Sequence, residues 1–529
     1  MKALMKTASP CAALLLGVMI APMAYALALD FGDGDDAVTM DIDTSITYGA
    51  QWRVQAADKS MLRGDGTLVG TVIAANIDDG NRNFDPGLIS NRLTVLTDMD
   101  VQWRNYGLFL RGKAFYDTVY KDQHTDIDPA GFALYNSGTA VGGTTGYGDF
   151  PKHTEDDYGA DVVLLDAFVY GTFDVGERVL NMRVGEQAIN WGESTFYPGI
   201  MAVQNRIDVS ASNTPGVEVK EILLSTGAVY GQINLTDNID FEAYYQYEWK
   251  ATKLDGVGSY YSYVDQMGAG AENYLAAVGG FVFAFPRGPD ETPPDSGQWG
   301  VALRYLFDDG SEVAFYNLVS HSKTPSFEIH GTPIGGGLIL PTDYVERYFE
   351  DIRLYGMSFS TVVGTTSVAG ELSYRPNLPV VSSNLIGTPV RAGFYQASVN
   401  GTHIFGPSWI ADSTTVVFEV VTGQHDDMAD TDLRFDSAAW GTSIRTEFAY
   451  NNVMSGVDLT VPIFYSQGIE GTIREMNIVE DAKAVSVGLN LSYLQRLEAG
   501  IAYTTYFGGG IDNWINDRDN VALTLKYSF

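Results

Sequence analysis

The feature that most constrains this chain is an alternation of apolar and polar residues that is still running when the chain ends. Val521, Leu523, Leu525, Tyr527 and Phe529 share one side of the last ten positions, and Asn520, Ala522, Thr524, Lys526 and Ser528 share the other. A period of two is that of a β-strand with one apolar and one wet face. The stretch beginning at Val38 repeats it: Val38, Met40, Ile42, Ile46, Tyr48, Trp52 and Val54 alternate with Thr39, Asp41, Asp43, Ser45, Gln51 and Arg53. Carboxylates and a guanidinium between apolar neighbours exclude a strand buried on both faces, and a soluble sheet rarely needs so long an apolar stripe. The first and last strands are therefore expected to pair with each other.

The N-terminus carries Lys2 and Lys6, an apolar core over 12–19 and the small-x-small triplet Ala24-Tyr25-Ala26. This is the pattern of a secretory signal peptide, expected to span 1–26. Its core is far short of the ~20 apolar residues a spanning helix needs. Cys11 precedes that core, which excludes a lipid anchor there, and a chain cleaved after residue 26 has neither disulfides nor thiolate chemistry. Residues 27–37 read as an acidic periplasmic segment and 38–529 as one barrel domain. The most apolar later stretch, 274–285, is interrupted by a glycine pair and stopped by Pro286. A secreted chain without spanning helices can still enter a membrane as a closed barrel, which satisfies every backbone group.

Composition agrees. The 57 Gly, 31 Tyr, 26 Phe and 8 Trp suit many turns and two aromatic girdles. Acids outnumber Lys plus Arg by 66 to 32, and a net charge of −34 excludes nucleic acid, whose phosphates nothing here would neutralise.

Along the chain the alternation recurs between short turns and long loops. The pattern predicts strands over 162–173, 178–189, 219–235 and 239–251, and turns at Asp308-Asp309-Gly310, Val363-Gly364-Thr365, Gly406-Pro407, Asn451-Asn452 and Gln495-Arg496. The fold class is all-β: a transmembrane antiparallel β-barrel of about 18 strands (16–18). Short turns would be periplasmic, long loops extracellular and both termini periplasmic, with one loop folded into the lumen.

Several stretches resemble a known family. Residues 42–55 ending in Tyr48-Gly49-Ala50-Gln51-Trp52-Arg53-Val54, then Asp78-Asp79-Gly80-Asn81-Arg82-Asn83-Phe84 with Ser90-Asn91-Arg92, and Arg183-Val184-Gly185-Glu186-Gln187 running into Trp191-Gly192-Glu193-Ser194, are similar to the DUF1302 family of proteobacterial outer-membrane proteins. Pro215-Gly216-Val217-Glu218, Tyr247-Glu248-Trp249 and the closing Tyr527-Ser528-Phe529 agree with it, so the resemblance runs over essentially the whole mature chain. It implies movement of hydrophobic compounds, with a DUF1329-type companion and an inner-membrane RND-type exporter as partners. No catalytic or binding residue comes with it. The aromatic ending, Tyr527 and Phe529, also resembles the closing strand read by the barrel assembly machinery.

The lumen of such a barrel is wide enough for water unless loops fill it. Arg183 and Gln187 point inward from a strand that runs into a loop carrying Glu193, Arg206 and Asp208. These five form a candidate constriction, where fixed charges of both signs set selectivity. The alternative is a structural ion-pair cluster holding the loop to the wall. The run containing Leu275, Val278, Phe281, Phe283 and Phe285, with a second one at 335–341, is a candidate apolar lid; the alternative is a hydrophobic core for the loops.

Acid runs at Asp122, Asp126 and Asp128 and at Glu155, Asp156 and Asp157 lack the spacing of a dedicated calcium loop. They are open to cations that bridge lipopolysaccharide, or are a solvated surface. The six histidines show no metal-ligand or catalytic spacing, so neither an enzyme nor a cofactor is expected. The expected function is passage of a small, hydrophobic compound across the Gram-negative outer membrane. A porin-like, cation-preferring diffusion pore and a plugged structural barrel remain as alternatives. Outer-membrane lipid, lipopolysaccharide and a small-molecule substrate are the other expected partners.

Overall fold

Eighteen of the alternating stretches become strands of a single wall. The structure, a computed structural model, describes residues 27–32, 34–58, 76–123, 125, 148–278, 281–335, 338–383, 389–426 and 428–529. The expected signal peptide with Cys11, and His124, Asp126 and Asp128, lie outside them. The wall strands are β1 (Val38–Arg53), β2 (Gly87–Trp103), β3 (Tyr106–Asp117), β4 (Ala160–Val175), β5 (Arg178–Gln187), β6 (Thr226–Asn234), β7 (Ile239–Gln246), β8 (Gln298–Leu306) and β9 (Glu312–Ser320). They continue with β10 (Ile352–Val363), β11 (Thr366–Val381), β12 (Pro389–Phe405), β13 (Ser413–Asp426), β14 (Ala438–Met454), β15 (Val457–Glu470), β16 (Lys483–Tyr493), β17 (Leu497–Phe507) and β18 (Asn520–Ser528).

Each strand pairs antiparallel with the next. β18 pairs back onto β1 from Ser45↔Ser528 to Arg53↔Asn520, which closes the barrel as the two ends of the sequence require. Closure leaves no edge within the wall, the condition for crossing hydrocarbon with strands. Among the described residues no helix is long and apolar enough to cross a membrane.

Register sorts the side chains as the alternation demands. Val229, Leu303, Phe315, Met357, Val399, Phe418 and Ile501 are exposed on the outer face, and their strand neighbours Tyr230, Ala302, Ala314, Ser358, Asn400 and Glu419 are buried inside. Asn317 shares the outer face of β9 with Phe315.

Four local expectations are corrected. β7 ends at Gln246 rather than at 251, because Trp249 leaves the ladder to donate its indole N–H to Ser322 O (3.1 Å). The strand expected over 219–235 begins at Thr226; Val219–Ile222 is instead a helical turn closed by a reciprocal capping box between Glu218 and Glu221. Asn451 and Asn452 lie within β14, beyond a register break after Tyr450, and the reversal comes at Ser455-Gly456, where Gly456 supplies the positive φ (75°). Residues 273–286 and 326–347, expected as loop, fold as two hairpins.

The segment before β1 also contains a strand, Leu27–Phe31, paired with Val38–Ile42 of β1. β18 covers β1 only up to Ser45, and Phe529 extends it by exchanging backbone hydrogen bonds with Thr44 (2.9 and 2.7 Å). The N-terminal strand covers the edge that remains, so the two ends of the chain lie in line along one side of β1.

Candidate functional site

Residues 188–225, between β5 and β6, leave the wall and cross the lumen. Their outward limb is fixed by two carboxylates that point inward from the opposite wall. Glu371 on β11 accepts from the backbone N–H of Glu193 (2.8 Å), Ser194 (3.3 Å) and Ile200 (2.9 Å). Glu419 on β13 accepts from Thr195 N–H (3.1 Å) and Phe196 N–H (2.5 Å). A buried carboxylate is costly unless hydrogen-bonded; the segment's own amides meet both oxygens of Glu371 and Oε2 of Glu419, while Glu419 Oε1 is buried without a partner.

The sequence makes room for the contact with Gly192 and Gly199. A Cβ at Gly192 would stand 2.5 Å from Glu371 Oε2, and one at Gly199 2.0 Å from Oε1. Gln396 and Asn400 on β12 donate to Pro198 O and Glu193 O, each at 2.5 Å. Ser443 on β14 donates to Tyr197 Oη (3.0 Å), and Phe196 packs on Phe464 of β15 with ring centroids 5.5 Å apart.

The return limb is held by ion pairs to the first and last strands. Lys526 of β18 meets Glu218 (2.5 Å), Asp98 of β2 meets Lys220 (3.2 Å) and Lys113 of β3 meets Glu221 (3.7 Å). Ser225 then donates to Asp166 of β4 (2.5 Å). The segment thus touches walls on both sides of the barrel.

It fills one half of the lumen and leaves the other. On the β5–β10 side Ile189, Trp191 and Ile200 pack into a buried cluster with Tyr230, Tyr244, Tyr316, Leu318 and Leu354. Trp191 Nε1 donates to Glu242 (2.5 Å), which also accepts from Tyr230 Oη (2.7 Å) and Arg304 Nε (2.5 Å). On the β14–β18 side the inward residues stay accessible: Arg445, Asn490 and Glu498 are exposed, and Phe464, Ser486, Thr504 and Thr524 are half-buried. Thr195, Ser212, Gly216 and Val219 of the segment are also exposed. A polar gap therefore runs along β16 and β17, between the contacts that the segment makes with β14 and β15 and with β18.

The five constriction candidates divide. Arg183 stacks over Tyr230 (4.4 Å to the ring centroid) beside the Glu242–Arg304 group, to which Arg304 also joins Glu312 (2.7 Å). Glu193 lies in the same neighbourhood, its amide on Glu371. Gln187 is buried and donates to Ala228 O (2.9 Å). Arg206 donates to Ser225 O (3.2 Å), and Asp208 caps the short helix Val209–Ser212, accepting from Ala211 N–H (3.0 Å) and Ser210 Oγ (2.5 Å). Arg183 thus lies on Tyr230 and Glu193 is held at Glu371, with no contact between the two among the described residues, and Arg206 and Asp208 are held separately on Ser225 and on the Val209–Ser212 helix. Glu371, Glu419 and Glu242 were missed; the available signal was an acid on the inward face of a membrane-depth strand, which demands a partner.

Of the lid candidates, Leu275 and Phe285 are buried and Phe283 is 42 % exposed. Val278 and Phe281 pair across the hairpin tip, and their side chains lie outside the described residues. Leu275 is pinned by Asn76, which donates to its carbonyl and accepts from its N–H, both at 2.7 Å. Tyr274 packs on Phe327 of the second hairpin (5.2 Å). Tyr527 and Phe529 stack at 5.6 Å at the end of the wall.

Of the described loop acids, Glu155 meets Lys121 (2.5 Å), Asp156 meets Lys152 (3.1 Å) and Asp157 meets Lys253 (3.4 Å), while Asp122 accepts from Tyr116 Oη (2.7 Å). His403 faces outward on β12, hydrogen-bonded to Thr366 Oγ1 (2.7 Å). Among the described residues no group of three or more His, Cys, Asp or Glu is placed to hold a metal ion.

A closed 18-stranded wall with an apolar outside, and a lumen crossed by the chain's own segment, defines a membrane-spanning β-barrel with a built-in constriction. The chain belongs to the family described as "Protein of unknown function (DUF1302)", whose model matches residues 7–529. None of the curated proteins matches the sequence. Solved structures similar to it include Acinetobacter baumannii OccAB1, 11 % identical over 93 % of this chain and 96 % of that one with a TM-score of 0.45. Pseudomonas aeruginosa OccK2 (OpdF), solved in complex with glucuronate, is 10 % identical over 93 % and 98 % (TM-score 0.41). A BenF-like porin from Pseudomonas fluorescens Pf-5 is also 10 % identical over 93 % and 98 % (TM-score 0.43).

Proposed function

We propose that the protein passes a small molecule across the outer membrane of a Gram-negative bacterium, through the gap between residues 188–225 and β16–β17. The observation that carries this reading is the asymmetry of the lumen: apolar packing seals one half, and the other keeps a row of accessible hydroxyl, amide and charged groups. Such a half-filled lumen is a passage with a fixed constriction rather than a solid plug. The cargo carries apolar surface, a reading supported by the Phe196–Phe464 ring pair between segment and wall and by the exposed Val219 of the segment. An inner-membrane RND-type exporter with a DUF1329-type companion is the machinery this reading would couple to, and no chemical reaction is assigned.

A cation-preferring diffusion pore is the second reading, favoured by the surplus of Glu193, Glu242, Glu312, Glu371 and Glu419 over Arg183 and Arg304 around the segment. Single-channel recording of the refolded mature chain under a salt gradient tests both. Steady openings whose conductance falls when an apolar solute is added support the first reading. Cation-selective openings indifferent to such solutes support the second, and a folded barrel that is silent under all conditions overturns both.

A further inference from the structure

We propose that residues 256–265 form a proton-operated latch over the extracellular end of the lumen, closed in acid and released as the outer medium becomes alkaline. The inference rests on the passage reading above, and this end carries the long loops, which are extracellular in outer-membrane barrels.

The loop leaves β7 and reaches the strands where the barrel closes. Tyr261 Oη accepts from Gln51 of β1 (2.9 Å) and from Asn520 of β18 (3.0 Å), both inward side chains. Tyr260 lies against the guanidinium groups of Arg53 (5.6 Å) and Arg518 (5.1 Å). The loop is also locked to the segment before β2. Asp78 N–H donates to Tyr263 O (2.6 Å), and a Cβ on Gly80 would stand 2.0 Å from Ser259 O.

The charges under this latch do not balance. Asp78, Asp79, Asp265 and Asp517 are each 0 % exposed, against three guanidinium groups. Arg518 pairs with Asp78, Arg53 with Asp517 (3.5 Å) and Arg82 with Asp79 (3.3 Å). Asp265 is the fourth carboxylate. Both its oxygens lie on the backbone N–H of Asp79 (3.2 and 3.3 Å), and Asp79 Oδ2 is buried without a hydrogen-bond partner. Where both carboxyls are fully buried, the uncompensated charge is removed by holding a proton on the Asp79–Asp265 pair.

The surroundings agree. Burial, reinforced by Asp78, raises Asp79 to about 7 against the opposing pull of Arg82, and raises Asp265 well above the carboxylate range, with Asp79 as its next cause. Burial also lifts Asp78 to about 6 against Arg518. Beyond Tyr263, which stacks on Trp514 at 4.4 Å, Arg474 and Asp512 add charge on that side.

These carboxyls lie higher in the closed latch than in water. The closed state is therefore fully favoured below about pH 4, the ordinary aspartate range, and loses that advantage as pH rises through about 7. One linked proton changes the closed-to-open ratio about tenfold per pH unit across that window.

The test is hydrogen exchange of residues 256–265 in the folded full-length mature barrel at pH 5 and pH 8, corrected for the intrinsic rate at each pH, beside single-channel recording at the same pH values. Protection is expected to fall at least about tenfold and conductance to rise. Asp265→Asn, with Asp79→Asn as a second variant should the first not fold, should hold protection within about twofold and keep conductance low at both pH values. Wild-type protection that does not change with pH, or a variant that loses protection as the wild type does, overturns the latch. Protection that falls with pH in a barrel silent at every pH upholds the latch and overturns the passage reading.

Discussion

Glu371 shows how one side chain fixes the site. Its carboxylate takes three backbone N–H groups from a segment far away in sequence, and two glycines give it access. Glu371→Ala would leave those amides buried and unpaired, at about 1–3 kcal/mol for each lost hydrogen bond. We expect new protease cleavage within residues 188–225 and larger, noisier conductance, with the wall itself intact by heat-dependent gel mobility. Gly199→Ala should act alike, since the added methyl group would occupy the position of Glu371 Oε1; an unchanged cleavage pattern would show that the carboxylate can move aside. At this scale the sequence was partly legible. The inward direction of Glu371 and Glu419 follows from alternation, whereas their partners are backbone groups, which carry no sequence signature. Asp208, an ionic candidate in the sequence, serves as a helix cap, and that role depends on the local turn that brings the Ala211 N–H to its carboxylate.

Among the elements, the ends of the chain are the most informative. Alternation located β1 and β18 and the requirement that they pair. It did not locate the strand Leu27–Phe31, because five residues of apolar and acidic character are too few to show a period. Its role follows from register: β18 stops at Ser45, and an uncovered edge on β1 would invite another strand. Deleting residues 27–31 from the mature chain is expected to lower the unfolding midpoint modestly and to increase aggregation during refolding, measured by light scattering. Deleting Phe529 removes both backbone bonds to Thr44 and the ring stacked on Tyr527, and should reduce surface levels of assembled barrel without altering conductance per channel. The early end of β7 was not legible, since Tyr247, Glu248, Trp249 and Lys250 continue the alternation; the indole hydrogen bond of Trp249 to Ser322 takes the chain out of the ladder.

For the whole molecule, the division of the lumen gives a directional prediction. Ser486→Trp, on the open side, should lower conductance at least about twofold by placing a bulky ring in the water path. Ser358→Trp, on the packed side, should instead destabilise the barrel by overpacking, at about 1–3 kcal/mol, seen as a lower unfolding midpoint. Equal conductance loss in both would mean that the passage is not confined to one side.

Alternation in the sequence was enough for the wall: about eighteen strands, their inward and outward faces, their closure and a family resemblance, and the structure and the family model bear these out. It could do so because a period of two is written in every strand and a one-residue slip would turn every side chain to the wrong solvent. Only the tertiary structure decided what fills the wall. Residues 188–225 carry no periodicity, and their path is set by contacts with strands hundreds of residues away, from Glu371 to Lys526. The same holds for the buried charges under residues 256–265, where three loops meet and the balance of acid and base exists only after they do.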